Sequence, residues 1–254
     1  MKPIITLSFA AVFTFASLSF TFCSHNPEKK SNSSAAGFAV VELFTSEGCS
    51  SCPPADEAMI RLAKEFPENV YFLGYHVDYW DYIGWKDPFS KADYTERQKQ
   101  YSETFKLSSI YTPQVVINGR KEMVGSKESQ LRTAIQEELK TAPVAQIELT
   151  AKKKDESTIE VSYKLVNAGK ANLNIALVQL KAITNVKRGE NKGHTLEHIN
   201  IVRDLKIIAV NKEANATADF NIPSGLSLKD VKLIAFVQDK TSLKITGATE
   251  ALTP

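Results

Sequence analysis

Two cysteines spaced three residues apart are the side chains in this sequence best suited to chemistry. Cys49 and Cys52 enclose two serines and lie between an apolar run and a segment with helical periodicity. We therefore expect Cys49 near a helix N-terminus, where free amide groups and the helix dipole favour the thiolate that attacks disulfides. Cys52 is close enough to displace a bound substrate by forming a disulfide with Cys49. The pattern predicts a thiol-disulfide oxidoreductase.

Other roles of this pair stay open from the sequence. A permanent disulfide would close so short a loop that it would remove little chain entropy. A closed structural zinc site normally needs four ligands, and the sequence has no second cysteine pair. Cys49, Cys52 and His76 form the metal-binding alternative, a Cu(I) site, because soft thiolates suit this ion. His194 and His198 are a weaker lead, since four residues along a strand separate them by ~13 Å.

Apolar periodicity predicts the elements that position the cysteines. Residues 38–44 (FAVVELF) and 70–77 are expected to be buried strands. A helix is expected over residues 55–66, where apolar side chains recur every three or four residues until Pro67. A closing helix follows at residues 131–139. The order is strand, helix, strand, insertion, hairpin and helix.

From residue 143 onward the apolar pattern changes to a period of two. Ile147 and Leu149 alternate with polar neighbours, and similar runs recur up to residue 237, as expected for half-buried strands. The sequence therefore predicts an α/β thioredoxin-like domain over residues 38–142, with an insertion at 78–110. A C-terminal all-β, sandwich-like domain is expected over residues 143–254.

Two further candidate site residues precede a strand of the first domain. Thr112 and Pro113 open the run QVVI, which is followed by the hairpin turn Asn118-Gly119. Thioredoxin-like folds carry a cis-proline that packs against the cysteine pair and presents the preceding backbone to an extended substrate. We expect Thr112–Pro113 to be that bond. The alternative is a trans proline that starts a strand.

Glu42 is a carboxylate inside an otherwise apolar strand, seven residues before Cys49. Because an unpaired buried charge is costly, Glu42 must be neutral, paired, or tilted toward solvent at an edge. Its functional interpretation is a group that relays protons during thiol exchange.

Both tryptophans of the chain lie in residues 75–89 (YHVDYWDYIGWKDPF). Most aromatic clusters serve packing, so a core or lid is one interpretation. The other is an apolar platform beside Cys49 that binds a partner polypeptide or shields the thiolate.

Composition excludes several classes of partner. The chain has 254 residues, of which 43% are hydrophobic, which is enough for two modest cores. Lys and Arg number 31 against 29 Asp and Glu, so no strong field favours nucleic acid. We expect a protein or small-molecule thiol or disulfide as substrate, and no cofactor.

The N-terminus predicts export. Lys2 precedes an uncharged, apolar stretch up to Phe22, as in an export signal over residues 1–23. A polar tether is expected over residues 24–37. Cys23 is a candidate for lipid attachment, although the bulky Phe22 departs from the lipoprotein pattern, and a retained transmembrane anchor is the alternative. The predicted location is the periplasm or cell envelope, with a membrane tether if Cys23 is acylated.

Longer motifs carry a resemblance to a known family. VELFTSEGCSSCPPAD, HVDYWDYIGWKDPF, YTPQVVINGR, RGENKGHTL and NIVRDL together resemble a secreted thioredoxin-like family described only as domain of unknown function 1223. The resemblance covers residue 38 to the C-terminus. It implies redox positions at Cys49, Cys52 and Pro113 and a β-rich second domain, but no substrate.

Residues 188–196 match one of these motifs inside the second half. A loop folded back toward the redox site would explain the match, and so would a structural turn, which we favour. A remaining functional alternative is a protein whose β-sandwich recognises a partner while a redox-inert first domain supports it.

Overall fold

In a computed structural model that describes residues 37–211 and 214–253, the chain forms two sheets and three α-helices. The helices are α1 (Pro53–Glu65), α2 (Ala92–Phe105) and α3 (Glu128–Glu138). The strands are β1 (Ala39–Thr45), β2 (Val70–His76), β3 (Gln114–Ile117), β4 (Lys121–Val124), β5 (Gln146–Lys153), β6 (Thr158–Val166), β7 (Lys170–Asn185), β8 (Thr195–Asn211), β9 (Ala214–Asn221), β10 (Val231–Asp239) and β11 (Ile245–Leu252).

The elements predicted around the cysteines are confirmed. Strand β1 is parallel to β2 and antiparallel to β3, and β3 forms the predicted hairpin with β4. Helix α1 starts with Pro53 and Pro54. In the first turn of a helix a backbone N–H has no acceptor within the helix, so proline loses no hydrogen bond there. The predicted insertion at 78–110 contains a short 3-10 turn (Asp81–Ile83) and α2.

Strand β1 packs on both faces, and the two faces meet different helices. Val41 and Leu43 pack with α1 and α3 in one apolar cluster. Val40 and Phe44, which point the other way, pack with α2 in another. Odd-numbered residues of β1 therefore face α1, and even-numbered residues face α2.

The predicted fold class, an α/β thioredoxin-like domain followed by a separate all-β domain, is wrong. A separate α/β thioredoxin-like domain is absent from the described residues, because β1–β4 belong to one mixed eight-stranded sheet with the order β11-β10-β7-β8-β2-β1-β3-β4. Strand β8 continues the sheet beyond β2, in parallel register at Gly74 and Ile201. All described residues belong to one compact unit.

The expected separate sandwich is corrected for the same reason. Only β5, β6 and β9 form a second, three-stranded sheet. Its inner residues, such as Val161 and Phe220, pack against Ile175 of β7 and Leu233 of β10. The opposite faces of β7 and β10 pack with β1, β2 and α2. The alternation of apolar and polar residues correctly predicts these strands, but it does not determine which sheet edge each strand joins.

The long hairpin of β7 and β8 connects the two halves. Its strands have 16 and 17 residues and pair antiparallel from Lys170–Asn211 to Asn185–Thr195. The connecting residues 186–194, here called the hairpin tip, lie beyond the last pair. This hairpin brings residues from the second half of the chain to the cysteine loop.

The predicted export signal, Cys23 and nearly all of the tether lie outside the described residues. Within the described ranges, none of the helices has the length and apolarity needed to cross a membrane.

Candidate active site

The cysteines occupy the loop between β1 and α1. Cys49 N–H donates to Ser46 O (3.1 Å), and Cys52 N–H donates to Cys49 O (3.2 Å), so the loop makes a tight turn before the helix. Cys52 occupies the N-cap position of α1, and Cys49 lies three residues before it. Both are free thiols, and both are buried.

The two thiols have opposite acidities. The hydrogen bond from Cys52 lowers the pKa of Cys49 most, burial acts against it, and hydrogen bonds from Ser51 and Thr112 help bring it to about 6. Burial, the interaction with Cys49 and the negative charge of Asp56 raise the pKa of Cys52 well above its ordinary value. Cys49 is therefore the thiolate at neutral pH, and Cys52 keeps its proton.

Thr112 and Pro113 lie beside this pair, as predicted. The peptide bond between them is cis. Cys49 Sγ lies 3.2 Å from Ser51 Oγ and 3.9 Å from Thr112 O. The Trp80 indole N–H donates to Thr112 Oγ1 at 2.8 Å, which ties the aromatic segment to the same place.

The hairpin tip covers the cysteine loop, so the expectation of a merely structural turn is wrong. The Asn191 side-chain amide donates to the carbonyl oxygens of Glu47 and Cys49, both at 2.9 Å. The Glu190 carboxylate accepts the Ser50 N–H at 3.0 Å. The two residues come from more than 100 positions later in the chain, and they hold the loop by its backbone.

The aromatic segment forms part of this cover. The Trp85 indole N–H donates to Glu47 Oε2 at 2.7 Å. A Cβ at Gly189 of the hairpin tip would lie 3.2 Å from Trp85 Cβ, so the tip packs closely on this side chain. Both tryptophans are half-buried, which fits lid packing better than an open platform.

Five ionisable side chains form a buried group beneath the loop, which we call the acid–histidine cluster: Glu47, Asp56, His76, Asp87 and His198. His198 Nδ1 lies 3.1 Å from Asp56 Oδ1, and its Nε2 lies 3.4 Å from Glu47 Oε1. His76 Nδ1 lies 2.7 Å from Asp87 Oδ2, which also accepts the Glu47 N–H at 2.8 Å. The two imidazole rings are 4.8 Å apart, so the contacts form one continuous group.

Charge pairing sets the protonation of two members of the cluster. Burial by itself would lower the pKa of His198, but Asp56 and then Glu47 outweigh it and raise that pKa to about 10. Burial acts to raise the pKa of Asp87, and the partner His76 outweighs it, so the pKa is lowered. His198 is thus a cation at neutral pH, and Asp87 is an anion.

Glu42 is paired and lies elsewhere. Its carboxylate accepts hydrogen bonds from Arg97 Nε (2.7 Å) and from the Tyr101 hydroxyl. It shares the face of β1 that packs on α2, whereas α1, which follows Cys52, packs on the opposite face. Among the described residues, the hydrogen bonds of Glu42 do not reach either cysteine, so its predicted proton-relaying role has no support in this arrangement.

The predicted copper ligands are not brought together. His76 is bonded to Asp87 in the cluster, and no set of three or more His, Cys, Asp or Glu side chains within residues 37–211 and 214–253 is arranged to hold a metal ion. His194 is exposed on the hairpin tip, whereas His198 is buried, so these two do not form a site either.

Sequence reasoning missed the members of the cluster that flank the cysteines. Glu47 lies two residues before Cys49 and Asp56 four residues after Cys52, so their proximity in the sequence was a usable signal. His198 was considered only as a partner of His194. No local pattern links it to Asp56, which is 142 positions away.

Comparison with solved structures shows a similarity that covers most of the chain. A crystal structure of an Agrobacterium tumefaciens protein is 27% identical in sequence, with a TM-score of 0.67, and the match covers 87% of this chain and 96% of that chain. A domain of the outer membrane lipoprotein Omp28 from Porphyromonas gingivalis is 17% identical, with a TM-score of 0.29 and coverages of 44% and 88%. This second likeness is too remote to support an inference.

No curated protein matches the chain. The family model described as protein of unknown function, DUF1223, matches residues 40–238, which is most of the sequence. The chain therefore belongs to the DUF1223 family.

Proposed function

We propose that the protein is a thiol-disulfide oxidoreductase that acts through Cys49 and Cys52. The observation that carries this proposal is the placement of two free thiols at the start of α1, with Ser51 Oγ 3.2 Å from Cys49 Sγ, together with the opposite shifts of their pKa values, lowered to about 6 for Cys49 and raised for Cys52. Exchange requires this division, because one sulfur must attack as a thiolate while the other stays protonated until it resolves the mixed disulfide.

The reaction proceeds in two displacements. The Cys49 thiolate attacks one sulfur of a substrate disulfide, the substrate S–S bond breaks, and its second sulfur leaves with the electron pair. Cys52 then loses its proton and attacks Cys49, which releases the first substrate sulfur and leaves the Cys49–Cys52 disulfide. Substrate is thereby reduced by two electrons and the protein is oxidised, and the reverse sequence oxidises a dithiol.

Access to Cys49 requires a movement. Cys49 is 0% exposed, whereas Ser50 and Ser51 are exposed above it. The hairpin tip holds this loop in place, with Glu190 on the Ser50 N–H and Asn191 on the loop carbonyls. A substrate must displace these contacts, so exchange includes an opening step before the first displacement.

The substrate in this proposal is a thiol or disulfide of a protein or small molecule outside the cytoplasm. The predicted export signal supports this location, and oxidising compartments are where disulfides persist. A Cu(I)-binding role has no comparable support, because His76 is engaged with Asp87.

The proposal is tested on the full chain with Cys23→Ser in every variant, so that only the pair can react. Glutathione disulfide serves as the probe, and the release of glutathione is followed. Cys49→Ser should reduce exchange to the uncatalysed rate. Cys52→Ser should stop at a glutathione adduct on Cys49, which mass spectrometry identifies.

Retention of exchange in Cys49→Ser would contradict the proposal. So would an unreactive Cys49 in a pair whose reduction potential lies below roughly −300 mV, because such a value is typical of a structural disulfide.

A further inference from the structure

The acid–histidine cluster has more carboxyl groups than imidazoles, so it can take up a proton. It contains three carboxyl groups (Glu47, Asp56 and Asp87) and two imidazoles (His76 and His198), and each side chain is at most 8% exposed as a residue. Even with both imidazoles protonated, three negative charges face two positive ones. The cluster can therefore accept one proton without acquiring net positive charge, which is the less costly direction for a buried group.

One edge of the cluster has unused hydrogen-bonding capacity. Glu47 Oε1 and His198 Nε2 are buried, and neither makes a hydrogen bond within the described part of the chain, although they lie 3.4 Å apart. Buried polar atoms in native structures nearly always have partners, so an unpartnered pair calls for an explanation. The Nε2–H of the His198 imidazolium faces Glu47 Oε1 across this gap, so His198 is held between Glu47 and Asp56.

Asp56 links the cluster to the resolving cysteine. It lies one helical turn beyond Cys52 on α1, and its backbone N–H donates to Cys52 O at 3.2 Å. Its carboxylate is oriented by the Thr45 hydroxyl at 3.0 Å and by His198. The negative charge of Asp56 is also among the causes that raise the pKa of Cys52.

A cleft connects this carboxylate with solvent. It has a volume of about 200 Å³, lies between α1 and the start of β8, and has Asp56 and His198 among its lining residues. Because a water molecule takes about 30 Å³ of liquid volume, the cleft holds several. A proton on Asp56 or His198 can therefore leave through this cleft.

We propose that Asp56 accepts the proton of Cys52 as Cys52 attacks the mixed disulfide, and that Asp56 passes it to water in the cleft, while the His198 imidazolium, held by Glu47, positions the Asp56 carboxylate. This inference rests on the proposed exchange reaction. The Cys52–Cys49 bond forms, the bond from Cys49 to the substrate sulfur breaks, and the departing sulfur takes the electron pair and a proton from water. In the reverse direction Asp56 returns a proton to Cys52.

Several charged or titratable groups face the two central members and will shape the pH dependence. Asp56 is faced by Cys52 from its own helix and by His198 from β8. His198 is faced by Glu47 from the cysteine loop and by His76 from β2. The remaining groups lie behind these or at the surface near the cleft: Cys49, Asp87, Glu57, Glu197, Lys64 and Lys181.

The test separates the two displacements in the full chain with Cys23→Ser. Reduced protein is mixed rapidly with excess 5,5′-dithiobis(2-nitrobenzoic acid), which releases one coloured thiol when Cys49 attacks and a second when Cys52 resolves. Asp56→Asn and His198→Gln should slow the second release about tenfold at pH 7 and leave the first within about twofold. The deficit should shrink above pH 9, where hydroxide removes the proton instead.

Glu57→Gln is the matched control, because Glu57 lines the same cleft from the same helix but lies outside the cluster. Both releases should keep the rates of the starting protein. A second release within twofold of the starting protein in Asp56→Asn and His198→Gln would overturn the inference, as would equal slowing of both releases at every pH. If Asp56→Asn does not fold, His198→Gln alone decides. Absence of the first release from the starting protein would refute the proposed function instead.

Discussion

Two buried acidic regions on either side of the same sheet differ in what they are able to do. Glu42 and Glu47 are both 0% exposed and lie five residues apart. Glu42 faces one permanent cation, Arg97, which also stacks within 5.5 Å of the rings of Tyr75, Tyr101 and Phe236. The single negative charge of Glu42 is therefore balanced by the single positive charge of Arg97.

Glu47, by contrast, shares titratable partners with Asp56 and belongs to a group with more carboxyls than imidazoles. This group borders the cysteine loop, whereas the pair of Glu42 and Arg97 lies on the face of β1 that packs on α2, and Arg97 is a cation that keeps its proton. Burial of a carboxylate is thus common to both regions. Proximity to the reacting sulfur and a titratable partner distinguish the region that can move protons.

The largest effect is expected from breaking the balanced pair. Arg97→Met leaves Glu42 buried without its cation, which should lower the free energy of unfolding by about 3–5 kcal/mol. The double variant Glu42→Leu/Arg97→Met should recover most of this loss, because it removes both charges. Urea denaturation measures both values.

Lys99→Ala on the same helix is the control, since its ion pair with Glu96 is exposed and should contribute at most about 1 kcal/mol. If Arg97→Met slowed the second thiol release as strongly as His198→Gln is expected to, the two regions would not be functionally distinct.

A second effect comes from His198 and depends on pH. Its pKa in the folded protein is about 10, above the ordinary value near 6.5, so the charged form stabilises the fold. This contribution is fully present below about pH 6.5 and is lost as pH rises through 10. His198→Gln should therefore cost about 1.5–3 kcal/mol at pH 6 and progressively less toward pH 10.

Urea denaturation between pH 6 and 10 measures this trend. The exposed His194, on the hairpin tip next to β8, provides the control, because His194→Gln should show no such trend. A stability difference between wild type and His198→Gln that does not change with pH would show that His198 is not charged in the folded state.

A smaller effect is expected from loosening the cover of Cys49. Asn191→Ala removes two hydrogen bonds from the hairpin tip to the loop, so opening should become easier by about 1–2 kcal/mol. Since 1.4 kcal/mol corresponds to a factor of ten, iodoacetamide should alkylate Cys49 about tenfold faster. The exposed neighbour Lys192→Ala should leave the rate unchanged; equal rates in both variants would mean that the tip does not limit access.

The smallest effect concerns the acidity of Cys49. The rate of its alkylation should be half-maximal near pH 6. Ser51→Ala removes one hydrogen bond to the thiolate, at 3.2 Å, and should move this midpoint upward by at most about one pH unit. Ser50→Ala is the control and should leave the midpoint unchanged. A midpoint of Cys49 alkylation near pH 8.5 in the protein without these substitutions would contradict the assignment of Cys49 as the thiolate.

Local chemistry was predictable from the sequence wherever the interacting residues are neighbours. The strand before Cys49, the helix after Cys52 and the hairpin of β3 and β4 follow from periodicity and turn residues, which act over a few positions. The cis bond at Thr112–Pro113 was predictable because thioredoxin-like folds carry a cis-proline that packs against the cysteine pair. Glu42 was recognised as unusual, but its partner Arg97 lies 55 residues away and could not be inferred.

The sequence by itself determined which residues carry sulfur chemistry and which segments become strands or helices, because apolar periodicity and side-chain type are local properties. Only the tertiary structure decided that β8 joins the free edge of β2, so that the halves form one sheet rather than two domains. That pairing brings His198 to Asp56 and Asn191 to the cysteine loop. Such contacts depend on which strand edges and apolar faces meet. The same local apolar pattern is compatible with several different strand pairings, so the pattern does not determine these contacts.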